Sequence, residues 1–505
     1  MAMANTNSSQ GTAAAGGSEK YPAALAMVTV LFFFWGFVTV LNDILVPHLK
    51  SVFELNYTKV MLIQFAFFAA YFIFSIPAAK VIDAIGYKRT MVVGLVTMAL
   101  GAFLFVPAAS ALSYPLFLAA LMILAGGITA LQVAANPYVA VLGPPETASS
   151  RLNLTQAFNS LGTTIGPYLG GLLILGTVAE NRDALARMSA EALHVFRVHQ
   201  AASVKVPYIV ISVALLVFAV LIGLFKLPAI PEVERHADGR HDGSLWKYRH
   251  LILGCAAIFV YVGAEVSIGS FLINYFNQPD IGNLTEVAAA KFVACYWGGA
   301  MVGRFIGSAI LNGIKRSNVL FLLGIGCVVL LTSHLSSAHE VLAAGPVLQR
   351  AFSVVGYILV LFRPIITLCV IVFVLLVLAS FIQGGRASLK TGHLLGLCAF
   401  CTTALVATSM LTTGHVAMWS IILVGFFNSI MFPSIFTLGI AKLGPRTGDG
   451  SGLLIMAIVG GAIIPVAQGA IADRIGVHHA FVLPVICYLY IAYYALRGSR
   501  PVGVE

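Results

Sequence analysis

Long apolar runs, separated by short gaps that hold most of the charged residues, dominate the sequence. Each run is about 20 residues long, which is the length of α-helix that crosses the hydrocarbon core of a bilayer. The pattern predicts about 14 membrane helices, at 24–46, 61–81, 90–108, 115–137, 153–176, 206–226, 250–275, 290–312, 318–335, 353–382, 393–411, 416–440, 451–472 and 480–496. We therefore expect an all-α polytopic membrane protein, and a soluble globular protein is excluded.

Two polar stretches divide the chain. Residues 1–22 are rich in Ser, Gly, Ala and Asn without a basic start, which predicts a disordered tail rather than a signal peptide. Residues 229–249 hold several acidic, basic and histidine side chains and predict a linker. The predicted units are an N-terminal six-helix bundle at 23–228 and a C-terminal bundle at 250–498.

An internal repeat supports this division. Its landmarks are Pro137, Gly143, Gly162, Pro167 and Gly171, matched in the same order by Pro433, Gly439, Gly460, Pro465 and Gly469. Matched landmarks lie on helices of the same inferred direction, which predicts two bundles related by a parallel repeat. The offset is about 300 residues, more than one six-helix half needs. We therefore predict that residues 318–390 are an insertion that adds about two helices to the second half.

The net charge of +10 at pH 7 changes the picture little, because Lys and Arg lie in the gaps and form no stripe with aromatic residues. Nucleic acid is therefore not an expected partner. If each run spans once, basic residues such as Lys88, Arg151 and Lys247 fall on one side, which the positive-inside rule makes cytoplasmic. We expect a multi-pass protein of the cell inner membrane with both termini in the cytoplasm.

Two carboxyl groups lie well inside apolar runs, Asp43 in the first and Glu265 in the seventh. A carboxylate at this depth is expensive and marks a path for a polar solute or a proton. In a low-dielectric cavity such a group can take up a proton near neutral pH, which would couple solute to proton. The alternatives are a structural role for Asp43, paired to a lysine or capping a broken helix, and for Glu265 a sugar ligand or a neutral acid bonded to a neighbouring helix.

The gap after the second run contains Asp83, Gly86, Lys88 and Arg89. An acid, a turn glycine and a basic pair between two helices can latch one side of a carrier through charge pairs and helix-end interactions. A loop that only obeys the positive-inside rule is the alternative. Together with the repeat and the number of runs, this gap resembles the loop signature of the major facilitator superfamily.

Within that superfamily, several motifs resemble the fucose-galactose-glucose proton symporter family, from about residue 24 to 496 without the insertion. They are 41–47 (LNDILVP), 134–138 (AANPY), 151–160 (RLNLTQAFNS) and 432–439 (FPSIFTLG). The stretches 296–304 (YWGGAMVGR) and 456–461 (MAIVGG) look closest to the bacterial glucose/galactose branch. The resemblance implies a major facilitator fold and import of a neutral hexose, glucose and/or galactose, by proton symport through alternating access.

The resemblance also implies roles for single residues. Asp43 matches the aspartate that exchanges a proton as sugar binds and leaves. Glu265 has no such match, and its position as the remaining acid well inside the membrane makes it the expected second proton-coupling site. The fucose carrier has a second acid on its fourth helix, where this chain has Gln132, which cannot titrate. That departure puts fucose specificity and a two-acid relay in doubt. Arg304 resembles the second-half counterpart of the cytoplasmic latch, with snorkelling toward the headgroups as the alternative.

A sugar site needs amides that donate and accept hydrogen bonds, and a ring that lies against the apolar sugar face. The predicted substrate-binding residues, inside runs, are Trp35, Asn42, Gln64, Phe68, Tyr71, Gln132, Asn136, Gln156, Phe158, Asn159, Asn274, Tyr275 and Asn428. Gln156 and Asn159 are three residues apart, on one helical face, which favours a shared cavity. Each residue alone could instead tie helices together.

Other classes are less well supported. The twelve histidines form no His-Glu-x-x-His pattern, so a membrane enzyme lacks a catalytic constellation, and we expect no cofactor or metal. A channel lacks charge rings or a repeated carbonyl filter. Another monosaccharide, an amino sugar or a polyol remains an alternative cargo, and sodium an alternative ion. The expected partners are hexose, proton and the lipid bilayer, with a monomeric chain. The insertion and its Arg363 carry no assigned function.

Overall fold

The structure is a computed structural model that describes residues 21–53, 57–170, 204–228, 244–284, 286–311 and 390–501, with the single residues 189, 191, 198 and 202. These residues form helices joined by short turns, and no strand occurs among them. Nearly all of the predicted tail and insertion, and most of the predicted linker, lie outside the described residues. The boundaries at 23–228, 229–249 and 250–498 stay predictions.

The helices follow the apolar runs, because a helix satisfies its own backbone hydrogen bonds where water is absent. In chain order the α-helices are α1 Pro22–Phe53, α2 Tyr57–Ser110, α3 Tyr114–Val141, α4 Ala148–Gly170, α5 Lys205–Leu224, α6 Arg249–Phe276, α7 Glu286–Leu311, α8 Thr391–Leu411, α9 Gly414–Asn428, α10 Met431–Gly439, α11 Thr447–Met456, α12 Gly460–Ile475, α13 Val477–Ala480 and α14 Val482–Tyr493.

Nine helical segments in the described part of the chain are long and apolar enough to cross a membrane. One of them, Phe65–Ser110, has 46 residues. At about 1.5 Å per residue it is more than twice as long as a ~30 Å bilayer core. It bends at Gly86, whose φ of 80° lies in the left-handed region that side chains disfavour. The spans predicted at 61–81 and 90–108 are therefore two arms of α2.

The turns between helices lie at two ends of the molecule. The Gly86 end contains the Gly86 bend, the α3–α4 turn at 142–147 and the α10–α11 turn at 440–446. The Leu112 end contains the α2–α3 turn at Leu112 and residues 277–284, which follow α6. These names are used below without reference to the side of the membrane.

The internal repeat recurs in the helix packing. At Gly162, α4 approaches α1 so closely that a Cβ would collide with the carbonyl oxygen of Phe33. At Gly460, α12 approaches α6 in the same way, against the carbonyl oxygen of Phe259. Small residues allow this close approach in membrane bundles. Gly162 and Gly460 are matched landmarks of the repeat, so the α1–α4 and α6–α12 pairs are equivalent.

The two halves meet mainly through α4 against α7, and through α2 and α3 against α11. At the second contact a Cβ on Gly452 would lie 2.9 Å from the Ala79 side chain and 3.2 Å from the Ser75 carbonyl. This close approach fixes α11 against α2 toward the Gly86 end. The polar residues of the candidate site lie along the same interface.

Arg151 ties down the turn between α3 and α4. Its guanidinium donates to the carbonyl oxygens of Val139 at 3.0 Å, Ala140 at 2.5 Å and Pro144 at 3.0 Å. The last carbonyls of a helix have no partner within that helix and carry partial negative charge. Arg151 therefore caps α3 and sets the direction in which α4 begins.

Candidate functional site

Glu265 lies in the interior of the second half, with 13% of its side chain exposed. The phenol of Tyr261, one turn earlier on α6, donates a hydrogen bond to Glu265 Oε1 at 2.8 Å. The same phenol lies 3.3 Å from the carbonyl oxygen of Asn428. Arg304 on α7 approaches the carboxyl, with 4.0 Å between its Nη2 and Oε1. A hydroxyl donor and a cation thus face the Glu265 carboxyl.

Arg304 contacts both halves of the molecule. Its Nε donates to the carbonyl oxygen of Ser429, between α9 and α10, at 3.1 Å. Its Nη1 reaches α4 of the first half, where it donates to the carbonyl oxygen of Gln156 at 3.5 Å and to the hydroxyl of Ser160. Only 13% of the Arg304 side chain is exposed. One buried cation therefore joins α4 to the second half.

Asn428 adds an amide to this cluster from α9. Its Nδ2 donates to the phenol oxygen of Tyr296 at 3.3 Å, and both side chains are almost fully buried. Asn428 Oδ1 is buried without a hydrogen-bond partner among the described residues. A buried acceptor without a partner is costly, so a hydroxyl group that reached Asn428 Oδ1 would gain a hydrogen bond.

A second polar cluster lies in the first half. Gln132 of α3 donates from Nε2 to the phenol oxygen of Tyr71 on α2 at 2.8 Å. The Trp35 side chain on α1 also hydrogen-bonds Tyr71. All three side chains are buried. The Phe68 ring lies against Gly461 of α12, so this cluster also borders the second half.

Asn136 and Gln156 connect the first half to the Arg304 contact. Gln156 Nε2 donates to Asn136 Oδ1 at 3.4 Å, and Asn136 Nδ2 is buried without a partner among the described residues. The first half therefore leaves a free donor at Asn136, and the second half leaves a free acceptor at Asn428. Such a pair suits a polar solute with hydroxyl groups.

Other predicted substrate-binding residues have different neighbours. Asn159 donates to the carbonyl oxygen of Phe32 on α1 at 3.0 Å. The Phe158 ring meets Phe305 of α7, with ring centroids 5.7 Å apart. Tyr275 is fully buried and donates to the carbonyl oxygen of Ser409 at 2.7 Å, whereas Asn274 is exposed. The structure does not bring Tyr275 and Asn274 to the other amides.

Three predicted site residues have backbones in the helices but side chains outside the described set. Asn42 and Asp43 lie in α1, and Gln64 lies in α2. The proton-coupling role of Asp43 and the substrate-binding roles of Asn42 and Gln64 stay predictions.

The predicted latch residues lie at the Gly86 end. A Cβ at Gly448, in the first turn of α11, would lie 3.7 Å from Asp83 Oδ1, so this carboxyl lies near a helix N-terminus. Lys88 Nζ donates to the carbonyl oxygen of Gly223 at 2.8 Å, which caps α5 within the same half. Arg89 is exposed.

Sequence reasoning missed a set of cross-half hydroxyl contacts at the Gly86 end, which we call the hydroxyl seal. Its members are Ser149, Ser150, Ser308, Thr391, Thr437 and Ser451. Ser150 and Ser308 donate to each other's carbonyl oxygens, at 2.7 and 2.9 Å. The hydroxyls of Ser149 and Thr437 are 2.6 Å apart, and Ser451 donates to the Val133 carbonyl at 2.8 Å.

Within the described ranges, no group of three or more His, Cys, Asp or Glu side chains is placed to hold a metal ion. The described side chains at the interface offer hydrogen bonding by amides and phenols, together with the Glu265–Arg304 charge pair. This arrangement places hydrogen-bond donors, hydrogen-bond acceptors and one carboxyl group together inside the molecule.

Comparisons with known proteins identify the family. The sequence model of the family described as Major Facilitator Superfamily matches residues 24–374 of this chain. A glucose/galactose transporter of Brucella abortus is 46% identical over 482 residues, which covers 95% of each chain. This chain belongs to the major facilitator superfamily. It is accordingly a multi-pass membrane transporter.

Two further relatives confirm the predicted resemblance and fold class. The L-fucose-proton symporter of Escherichia coli is 33% identical over 96% of this chain and 95% of its own. A solved structure of the major facilitator superfamily transporter FucP, in the outward conformation, matches with a TM-score of 0.74 and 30% identity, over 95% of this chain and 100% of that chain. The prediction of an all-α polytopic protein with the major facilitator fold is confirmed, while the predicted extra helices at 318–390 lie outside the described residues.

Proposed function

We propose that this transporter imports a neutral hexose, glucose or galactose, together with a proton. The observation that carries the proposal is the buried interface between the halves, where Asn136 leaves a free donor and Asn428 a free acceptor. A relative that is 46% identical over nearly the whole chain is a glucose/galactose transporter, and another is an L-fucose-proton symporter. The geometry and the relatives favour the same class of solute.

Sugar recognition would use neutral hydrogen-bonding groups from both halves. Asn136 and Gln156 present amides from the first half, and Asn428 and Tyr296 present an amide and a phenol from the second. A hexose carries several hydroxyl groups that both donate and accept, so it can bond the buried Asn136 Nδ2 and Asn428 Oδ1. The Phe68 ring at the same interface supplies an apolar surface for the sugar ring.

The proton would travel on carboxyl groups of the membrane interior. Asp43 is the proposed site of proton exchange, and Glu265 is the second carboxyl whose charge can change during the cycle. Gln132 cannot titrate and donates to Tyr71 instead. Uptake of sugar with a proton would be driven by the proton gradient across the inner membrane.

Alternating access requires that the two ends of the interface close in turn. The hydroxyl seal closes the Gly86 end. The distribution of basic residues supports a cytoplasmic position for this end, with both termini on that side. We assign the structure to the state closed toward the cytoplasm, in agreement with its similarity to FucP in the outward conformation.

The test is uptake of labelled glucose and galactose into proteoliposomes with an imposed pH gradient. Asp43→Asn should abolish accumulation against a gradient while sugar exchange continues, because exchange needs no net proton movement. Asp280→Asn is the matched control, since Asp280 is a half-exposed acid at the Leu112 end and should not affect accumulation. Absence of uptake of either hexose under any gradient would refute the proposal.

The same vesicles identify cargo and ion. Excess fucose, an amino sugar or a polyol should compete with labelled glucose less well than galactose does. A sodium gradient without a pH gradient should not drive accumulation. Stronger competition by another compound, or accumulation driven by sodium, would replace the proposed cargo or ion while leaving a transporter.

A further inference from the structure

The Glu265–Arg304 pair is the charged centre of the described interface. The groups that interact electrostatically with Glu265 are Tyr261 on the same helix, Tyr296 and Arg304 on α7, and Tyr488 on α14. The three phenols are neutral at physiological pH. Among the described residues, Arg304 is therefore the one charged group that faces Glu265.

The two members of the pair differ in how their charge can change. An arginine keeps its proton in a protein, whereas a carboxyl group can gain one. When Glu265 takes up a proton, Arg304 keeps its charge and retains only neutral acceptors, the carbonyl oxygens of Gln156 and Ser429 and the hydroxyl of Ser160. A buried charge without a counter-charge is strongly destabilised. A movement that brings water to Arg304 then costs less free energy than it does while Glu265 is ionised.

The movement that would hydrate Arg304 is separation of α4 from α7. These two helices belong to different halves and pack along their lengths. Ser150 faces Ser308 at the Gly86 end, and Gln156 and Ser160 face Arg304 deeper in the interface. Because both contacts are made by the same pair of helices, weakening the deeper one also weakens the hydroxyl seal.

We propose that Arg304 is the positioning residue through which the charge of Glu265 controls opening of the Gly86 end. With Glu265 ionised, Arg304 holds α4 against the second half. With Glu265 protonated, this contact weakens and the Gly86 end opens. The inference rests on the proposed proton symport for its place in the transport cycle. Gln156, whose backbone Arg304 contacts, also bonds Asn136, so the same residue links opening to the amides of the sugar site.

The experiment measures opening directly, with Gly448→Cys as reporter in the full chain. Gly448 is buried at the Gly86 end, and its Cβ position has no atom closer than 3.7 Å, so a cysteine fits. The rate of alkylation of the peptide that contains residue 448 is followed by mass spectrometry at one pH. Thr447→Cys, on the same helix turn and also buried, is the second reporter if the first folds poorly.

A double-mutant cycle separates coupling from simple loss of packing. Glu265→Gln imitates the protonated acid, and Arg304→Gln leaves the acid unpaired, so each should raise the alkylation rate about five-fold or more. The double variant has neither charge unpaired, so its rate should not exceed that of either single variant. Arg304→Lys keeps the charge but loses the planar set of donors, so its rate should lie between those of the native protein and Arg304→Gln.

Two control variants accompany the double-mutant cycle, one at Trp246 and one at Arg446. Trp246 is 78% exposed, so a cysteine introduced there should be alkylated at the same rate in the native protein and in every variant of the cycle. Arg446→Gln removes the partner of Asp449, 3.5 Å away in the α10–α11 region, and its effect should multiply with that of Glu265→Gln. Multiplying effects of Arg304→Gln and Glu265→Gln, or an Arg304→Lys rate as high as that of Arg304→Gln, would overturn the proposal. Sugar exchange by the same proteins tests the proposed function separately, because the alkylation cycle needs no sugar.

Discussion

Removing both hydroxyls of the Ser150–Ser308 pair should shift the protein toward the state that is open at the Gly86 end. The two reciprocal bonds, 2.7 and 2.9 Å long, join helices of different halves and exist only while that end is closed. A hydrogen bond contributes about 1 kcal/mol net, so Ser150→Ala with Ser308→Ala should weaken closure by ~2 kcal/mol. Since 1.4 kcal/mol is a factor of ten, the open population should rise about 30-fold.

The assay is alkylation of Gly448→Cys without sugar, because its rate follows the open population while opening is rare. The matched control is Thr97→Ala with Thr403→Ala, which also removes two hydroxyls, each bonded to a carbonyl four residues earlier in its own helix. The control should change the rate less than about two-fold. A rise below about three-fold in the serine variant would refute the claim that the hydroxyl seal sets the closed population.

Two further predictions concern residues that act within one half. Gly162→Ala should lower stability by about 1–3 kcal/mol, since its Cβ would collide with the Phe33 carbonyl. The control is Gly223→Ala, which should be neutral or stabilising because no atom lies within 4 Å of the added Cβ. The measurement is the thermal midpoint in detergent, and an equal fall in the two variants would contradict the prediction. Lys88→Gln should cost about 0.5–1 kcal/mol by uncapping α5 while the Gly448→Cys alkylation rate stays unchanged. A rise as large as that caused by Arg304→Gln would show that Lys88 acts across the halves.

The fold was largely predictable because the bilayer imposes a length on apolar helices. The turn at Gly86 was also predictable, since an acid, a glycine and two basic residues interrupt two apolar runs. Glu265 and Arg304 each stood out as charges inside such runs. Their approach to each other was not predictable, because the apolar pattern does not say which faces of α6 and α7 meet. Tyr261 could have been found, since it precedes Glu265 by one helical turn.

The hydroxyl seal had no counterpart in the sequence. Hydroxyl side chains in apolar helices often bond the carbonyl four residues earlier, as Thr29 bonds Leu25 and Thr97 bonds Val93. Ser308 lies inside an apolar helix in the same way, yet its hydroxyl bonds the Ser150 carbonyl across the halves. The sequence was equally uninformative about Tyr275, whose hydroxyl bonds the Ser409 carbonyl within the second half and not the amide side chains of the candidate site. Whether such a side chain bonds its own helix or a neighbouring one depends on the rotation of the helix about its axis, which the sequence pattern does not give.

The hydroxyl seal contains no charged side chain. Coulombic attraction between exposed charges weakens as salt accumulates, because counter-ions shorten the distance over which it acts. A closure made from hydroxyl and carbonyl groups has no such dependence. Raising the salt concentration would thus leave the hydroxyl seal at its original strength, so salt alone should not loosen these contacts at the Gly86 end.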